Sequence, residues 1–215
     1  MKLKKIASLA LAGIMAVSML AGCKDGGNGN NGSSSSEPTN PATGISTIFY
    51  NELSKAAQNS LEMSDSSELN SALTKIIEDL DTNDIRVNYG KGAAYNEYLS
   101  KAIAAPALLD CKVGVSSATY ANAKQVKDVT TYTSVFTVGY DINDAGALKD
   151  VVDKIDDVLS NLPTTGKNGS ATYEYDWTGS VSVADTTFVN DYGVERSVKY
   201  VAVSLTQTPT KTANG

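Results

Sequence analysis

A run of seven apolar residues on one helical face, bracketed by stretches that alternate with period two, constrains this chain most. Leu148, Val151, Val152, Ile155, Val158, Leu159 and Leu162 recur at helical spacing. Asp144 stands where an N-cap belongs, and Pro163 stops the run. Before the helix, Tyr132, Phe136, Val138, Tyr140 and Ile142 fall on one strand face. After it, Tyr173, Tyr175, Trp177, Val181 and Val183 alternate with Thr172, Glu174, Asp176, Thr178, Ser180 and Ser182, and Gly179 within that run predicts a bulge or bend. The turn cluster Asn190-Asp191-Tyr192-Gly193 leads to a last strand through Val198, Tyr200, Val201, Val203 and Leu205. So short a connection predicts that 181–189 and 195–207 pair antiparallel. The second half thus reads β-α-β-β.

The first half is mostly helical. Phe49, Leu53, Ala57 and Leu61 form a row at spacing four from Ile45, and Asp65 followed by Glu68 has the capping-box spacing ahead of the stripe Leu69, Leu73, Ile76, Ile77 and Leu80. A shorter helix spans about Ala93 to Ala104, with Tyr95, Tyr98, Leu99, Ala102 and Ile103 inward and Pro106 beyond it. Leu109, Cys111, Val113 and Val115 alternate with Asp110, Lys112 and Gly114, which reads as a strand carrying a small buried thiol. Clean alternation implies one sheet face on helices and the other in solvent. The expected fold is α+β: a single domain over 45–208, an antiparallel sheet with helices packed mainly on one face, and a Thr-rich tail, 209–215, that frays.

Residues 24–44 contain Gly26, Gly27, Gly29, Gly32, Ser33 to Ser36, four Asn and two Pro, with almost no apolar side chain. Such a stretch cannot offset its chain entropy by burial, so it reads as a disordered linker. As a coil its ends lie about 25 Å apart. Ahead of it, Lys2, Lys4 and Lys5 precede fifteen uncharged residues, Ile6 to Leu20. That run is short for a permanent span, which takes about 20 apolar residues, and has the n-region and h-region of a signal peptide over 1–22.

Leu20-Ala21-Gly22-Cys23 resembles the lipobox of bacterial lipoproteins. The resemblance implies cleavage before Cys23 and a diacylglyceryl thioether on its sulfur, often with N-acylation by a chain such as palmitate. It places the protein on the extracytoplasmic face of the cell membrane. Two or more acyl chains anchor stably, at roughly 0.8 kcal/mol per buried methylene. The resemblance covers residues 1–23 only. The polar run behind it also has a composition similar to the tethers of Gram-positive lipoproteins.

Cleavage removes three of the 18 Lys and Arg and none of the 24 Asp and Glu, which leaves a net charge of −9. A body so acidic repels phosphate backbones, which argues against nucleic acid as a partner. The chain has no histidine. That removes Ser-His-Asp and Cys-His catalysis and most zinc sites, and no cofactor is implied. With Cys23 lipidated, Cys111 has no second cysteine for an intramolecular disulfide.

The remaining candidates are weak motifs. Leu162-Pro163-Thr164-Thr165-Gly166 matches the LPxTG pattern that resembles a sortase substrate, but no apolar tail and basic end follow, so it reads as a proline stop and a glycine turn. Asp79, Asp81 and Asn83 open like a calcium loop, yet Asp84 and Gly90 stand where an EF-hand needs Gly and Glu. They, like Asp141, Asn143 and Asp144, are weak oxygen-ligand candidates whose plainer reading is a solvated acidic turn. Glu174 and Asp176 point to one strand face, the carboxylate pairing that glycosidases use. Gly90-Lys91-Gly92 precedes a helix without Walker or dinucleotide spacing. The eleven tyrosines, among them Tyr132, Tyr140, Tyr173, Tyr175, Tyr192 and Tyr200, are suited to stacking on sugars or partner side chains wherever they face out.

Together these features favour a non-catalytic binding module at the cell envelope, anchored through Cys23, with a glycan or protein partner. A transporter-linked solute-binding lipoprotein and a carboxylate-dependent hydrolase using Glu174 and Asp176 are the alternatives. The short chain weighs against the first, and the lack of an implied cleft against the second.

Overall fold

The computed structural model describes residues 44–80, 85, 93–103 and 122–214, all within the compact unit Pro41–Gly215. Its elements are α1 (Ile45–Glu52), α2 (Lys55–Ser60), β1 (Glu62–Met63), α3 (Ser67–Glu78), α4 (Ala93–Ala102), β2 (Thr130–Tyr140), α5 (Asp144–Ser160), β3 (Thr165–Asn168), β4 (Ala171–Val189) and β5 (Glu195–Asn214). The strands form one five-stranded sheet in the order β1-β4-β5-β2, with β3 also on β4. All pairings are antiparallel except β1 on β4. This is a single α+β domain. The strand expected around Cys111 lies outside the described residues.

The helix starts show how local polar groups set the boundaries. α5 buries Leu148, Val151, Val152, Ile155, Val158 and Leu159 as its stripe requires, but its cap is Asn143, one residue before the expected Asp144. Asn143 Oδ1 accepts from Gly146 N at 2.8 Å. At α3 the cap is Ser66, which accepts from Leu69 N at 3.1 Å, and not Asp65. The Asp65 carboxylate is engaged elsewhere, accepting from Ser46 N at 2.9 Å in the first turn of α1. The row Phe49, Leu53, Ala57 and Leu61 is buried throughout, yet it belongs to two helices. Ser54 caps α2 and donates its own N–H to Asp156 Oδ1 at 2.8 Å, while Gln58 Nε2 donates to the carbonyls of Tyr50 and Leu53 at 2.9 and 3.0 Å.

β4 and β5 form a long ladder from Ala171–Asn214 to Val189–Glu195. The tail expected to fray from 209 is instead its far end, with Pro209 opposite Tyr175 and Lys211 opposite Tyr173. β4 starts early enough to pair it, and threonine suits a strand. Pro209 costs no ladder bond. Its nitrogen faces the β2 side, where β2 has ended at Thr130 opposite Gln207.

Gly179 sits in unbroken register with Leu205, so it makes no bulge. It admits a neighbour instead: an added Cβ would lie 2.5 Å from Met63 Sδ and 3.1 Å from Leu205. The register slips elsewhere, in the β4–β5 ladder between Thr172 and Tyr173, which skips Thr212, and in β2 between Val138 and Tyr140. The slip in β2 takes Tyr140 off the face of Tyr132, Phe136 and Val138 and sets its ring 5.7 Å from Phe188, in the opposite core.

Both sheet faces carry helices, where the alternation had left one to solvent. On the first, Phe136, Trp177, Val181, Val201 and Val203 pack with the buried residues of α1, α2 and α5. On the second, Val135, Phe188, Val198, Tyr200 and Ala202 pack with Leu69, Leu73 and Ile77 of α3 and Tyr95 and Leu99 of α4. The sign of two covered faces is a run buried at both parities, seen at Tyr132–Phe136 and Tyr200–Val203.

Candidate interaction surface

The two ends of the sheet are built differently. At the Ala171 end the polar groups of Tyr132, Tyr175 and Trp177 are spent on the fold. Tyr132 Oη donates to Gln207 Oε1 at 3.1 Å, Gln207 Nε2 donates to Ala123 O at 2.7 Å, Tyr175 Oη donates to Val126 O at 3.0 Å, and Trp177 Nε1 donates to Pro163 O at 2.8 Å. Burial raises the hydroxyl pKa of Tyr132 and of Tyr175. The LPxTG match lies here as well. Leu162 is buried, and Thr165 and Gly166 belong to β3, paired with Glu174 and Tyr173. Proline stops the helix as expected, but the glycine is in a strand and not a turn.

The opposite end presents side chains outward. Among the described residues, four of the seven exposed large apolar groups gather there: Tyr140, Val189, Val194 and Tyr192, the last 90% exposed. The turn that carries them is rigid. Asn190 and Val194 close it (N to O, 3.0 Å), Gly193 N donates to Asn190 O at 3.0 Å, and Asn190 Oδ1 accepts from both Tyr192 N and Val194 N at 3.0 Å. Gly193 adopts φ +74°, a conformation that glycine reaches without strain.

Charge surrounds this apolar tip. Asp141, at φ +51°, accepts from Ser197 N at 3.0 Å and from Arg196 Nη1 at 2.7 Å. The Ser197 amide, then Arg196, hold its carboxyl below its ordinary value. Lys199, 13% exposed, reaches Asp144 Oδ1 at 2.8 Å and Asp185 Oδ1 at 3.7 Å. The hydrogen bond to Asp144 raises its pKa against the opposing effect of burial. With Asp191 and Glu195 beside them, five carboxylates stand against two cations at this end. A tyrosine ring on a fixed turn with an acidic rim is suited to an apolar or sugar surface that carries positive charge.

The other candidates do not assemble. Asp141, Asn143 and Asp144 serve an arginine clasp, a helix cap and a lysine pair, three separate tasks. Glu174 and Asp176 lie exposed, opposite Thr210 and Thr208, as on a solvated face. Asp79 ends α3 at the rim of a groove of about 400 Å³ between α3 and α4, beside Lys75. Its supposed co-ligands Asp81 and Asn83 lie outside the described residues, as do Cys23, Cys111 and Gly90-Lys91-Gly92. Among the described residues no three Cys, Asp or Glu side chains are placed to hold a metal ion, and no helix is long and apolar enough to cross a membrane. Tyr98, expected inward, is 64% exposed and stacks on Tyr95 with ring centroids 6.4 Å apart. The exposure of Tyr192 had one signal in the sequence, its place inside a turn cluster, where no strand face can bury it. Compared with family models, curated proteins and solved structures, the chain matches none.

Proposed function

We propose that this protein is a lipid-anchored module of the extracytoplasmic membrane face that acts by binding, held through Cys23 and spaced by the polar run 24–44. The observation that carries the reading is Leu20-Ala21-Gly22-Cys23 in register behind a basic n-region and a short apolar run. The tip at Tyr192, whose side chain is 90% exposed at the Val189 end of the sheet, is its contact for an envelope glycan or protein.

Expression in a bacterial host fed an alkynyl palmitate tests the anchor. The expected result is a labelled chain lacking Met1, with the label lost in Cys23→Ala. An unlabelled chain that keeps Met1 would overturn it. For the contact, Tyr192→Ala is expected to leave the melting temperature unchanged, because the side chain touches little, and to weaken capture from envelope extracts by about tenfold or more. Unchanged capture would remove the tip from the reading.

A further inference from the structure

The sheet is charged unequally along its length. At the Ala171 end stand Lys124, Lys127, Lys167 and Lys211, all four exposed. The ladder and the returning stretch bring them together. Lys211 lies opposite Tyr173, Tyr173 lies opposite Gly166, and Lys167 N donates to Lys124 O at 2.9 Å. Lys127 follows Val126, whose carbonyl accepts from Tyr175 Oη. Among the described residues none of these four lysines forms an ion pair, whereas Arg196 and Lys199 at the Val189 end are both held by carboxylates. With Asp128, Glu174 and Asp176 counted against the lysines, the Ala171 end is net +1, and the Val189 end, with five carboxylates and two cations, is net −3. Lys167 pairs with Thr172 and Lys211 with Tyr173, positions on opposite faces, so the positive charge surrounds the end of the sheet and does not line one side.

We propose that the Ala171 end docks on anionic lipid headgroups of the membrane that holds the anchor, which turns the Tyr192 tip away from that surface. The inference rests on lipidation of Cys23 and adds an orientation to it. β4 is 19 residues long, about 60 Å. That is several times the Debye length of about 8 Å at physiological salt, so a charged surface met by one end is not felt at the other. The chain enters the fold between the two ends. Gly44 precedes α1, and Ser46 Oγ accepts at 2.9 Å from Val181 N, which lies toward the middle of β4. A tether joined there leaves either end able to face the bilayer, so the choice falls to charge. Each charge close to an anionic surface shifts the balance roughly fivefold, and a difference of four net charges between the ends favours the lysine end by well over tenfold. So few lysines would hold a free protein weakly, but a tethered one docks at the high effective concentration that its linker imposes. The acidic tip, repelled by the same headgroups, is left facing outward.

Lysine footprinting of the full lipidated chain tests this, on vesicles of phosphatidylcholine alone and of phosphatidylcholine mixed with phosphatidylglycerol. Acetylation by an uncharged ester is read residue by residue by mass spectrometry. On the anionic vesicles it is expected to slow about threefold or more at Lys124, Lys127, Lys167 and Lys211, and to return to the neutral-vesicle rate in high salt. Lys75 on α3 and Lys149 on α5, also exposed, are expected to react alike on both vesicles. A second readout uses Trp177, the chain's one tryptophan, which lies nearer to Ala171 than to Val189 along β4. Energy transfer from it to a dansyl-labelled headgroup should be stronger on the anionic vesicles. Lys124→Gln, Lys127→Gln, Lys167→Gln and Lys211→Gln combined should abolish that difference and melt within a few degrees of native, because all four side chains are exposed. Equal acetylation of the four lysines on both vesicles, or equal slowing at Lys75 and Lys149, would overturn the docking and leave the anchor standing. A chain that floats with neither vesicle would overturn the anchor and the docking together.

Discussion

Ser46 joins the first helix to the outer side of β4, and replacing it with alanine isolates a contact whose loss can be worked from the geometry. Its Oγ is fully buried, accepts from Val181 N at 2.9 Å and donates to Val181 O at 3.3 Å. In Ser46→Ala the Val181 amide faces a methyl group that α1 seals from water. Leaving one buried donor unmet costs about 1–3 kcal/mol, and the longer bond to the carbonyl adds less, so the expected loss is about 2–3 kcal/mol. That is a large share of the ~5–15 kcal/mol that holds a domain together. In urea melts followed by circular dichroism, the slope should stay constant and the midpoint fall by about 1 M, given slopes of roughly 1–3 kcal/mol/M. The matched control is Ser54→Ala, which also removes a serine that accepts from a backbone amide, Ala57 N at 3.3 Å, but at an exposed helix start. It should cost about 0.5–1 kcal/mol, because water replaces the cap. If the two variants lose equal stability, burial of the Val181 amide is not what gives Ser46 its weight, and the reasoning fails.

Further perturbations probe other parts of the framework. Trp177 is the chain's one tryptophan and is buried, so native emission should be blue-shifted and move red on unfolding; Trp177→Phe, which orphans Pro163 O, should cost about 1–3 kcal/mol by circular dichroism. Gly166→Ala would overlap the Lys124 carbonyl, a backbone group fixed by the Lys167 N–H at 2.9 Å, whereas Gly179→Ala meets the movable Met63 Sδ. Chemical melts should therefore rank Gly166→Ala as the costlier, at about 3 kcal/mol, with only Gly179→Ala relieved by Met63→Ala. Asp141 has its carboxyl pKa lowered in the fold, so its contribution is present above about pH 4 and lost as pH falls through the depressed value. Asp141→Asn should be less stable than the native protein at neutral pH, and the gap should close in acid. A gap constant from pH 7 to pH 2 would contradict the assigned role of the carboxylate.

Much of this fold was legible because its strongest signals are one-dimensional. The α5 stripe, the Tyr175-Trp177-Val181 face and the short connection at Asn190–Gly193 need only local spacing to be read, and each stands where the spacing put it. What local spacing cannot carry is the choice between equivalent partners. Asp65 is as good a cap for α3 as Ser66 until Ser46 N claims its carboxylate. Gly139 and Gly179 both interrupt strands, and only the neighbours decide that the slip falls at the first and the close approach at the second. The second covered face was readable in Tyr200-Val201-Ala202-Val203, apolar at both parities, but a reading tuned to alternation counts such a run toward one face alone. The candidate surface was less visible still, because exposure of an aromatic is a statement about everything that fails to reach it.

The contrast between the sheet's two ends follows from where chain segments return. At the Ala171 end, the stretch around Ala123–Val126 comes back across β3, β4 and β5, and its carbonyls, which belong to a turn and not to a strand, are met by donors from the sheet: Gln207 takes Ala123, Tyr175 takes Val126, and Lys167 N takes Lys124. Tyr132, Tyr175 and Trp177 at that end therefore satisfy both packing and hydrogen bonding. No described segment returns across the Val189 end. Its turn is closed by its own Asn190 and braced by Asp141 and Arg196, and Tyr140 packs on Phe188, while Tyr192 stands 90% exposed. Sequence change at Tyr192 and Val194 is consequently cheap for folding, which is the physical condition under which a surface can be shaped by what it touches.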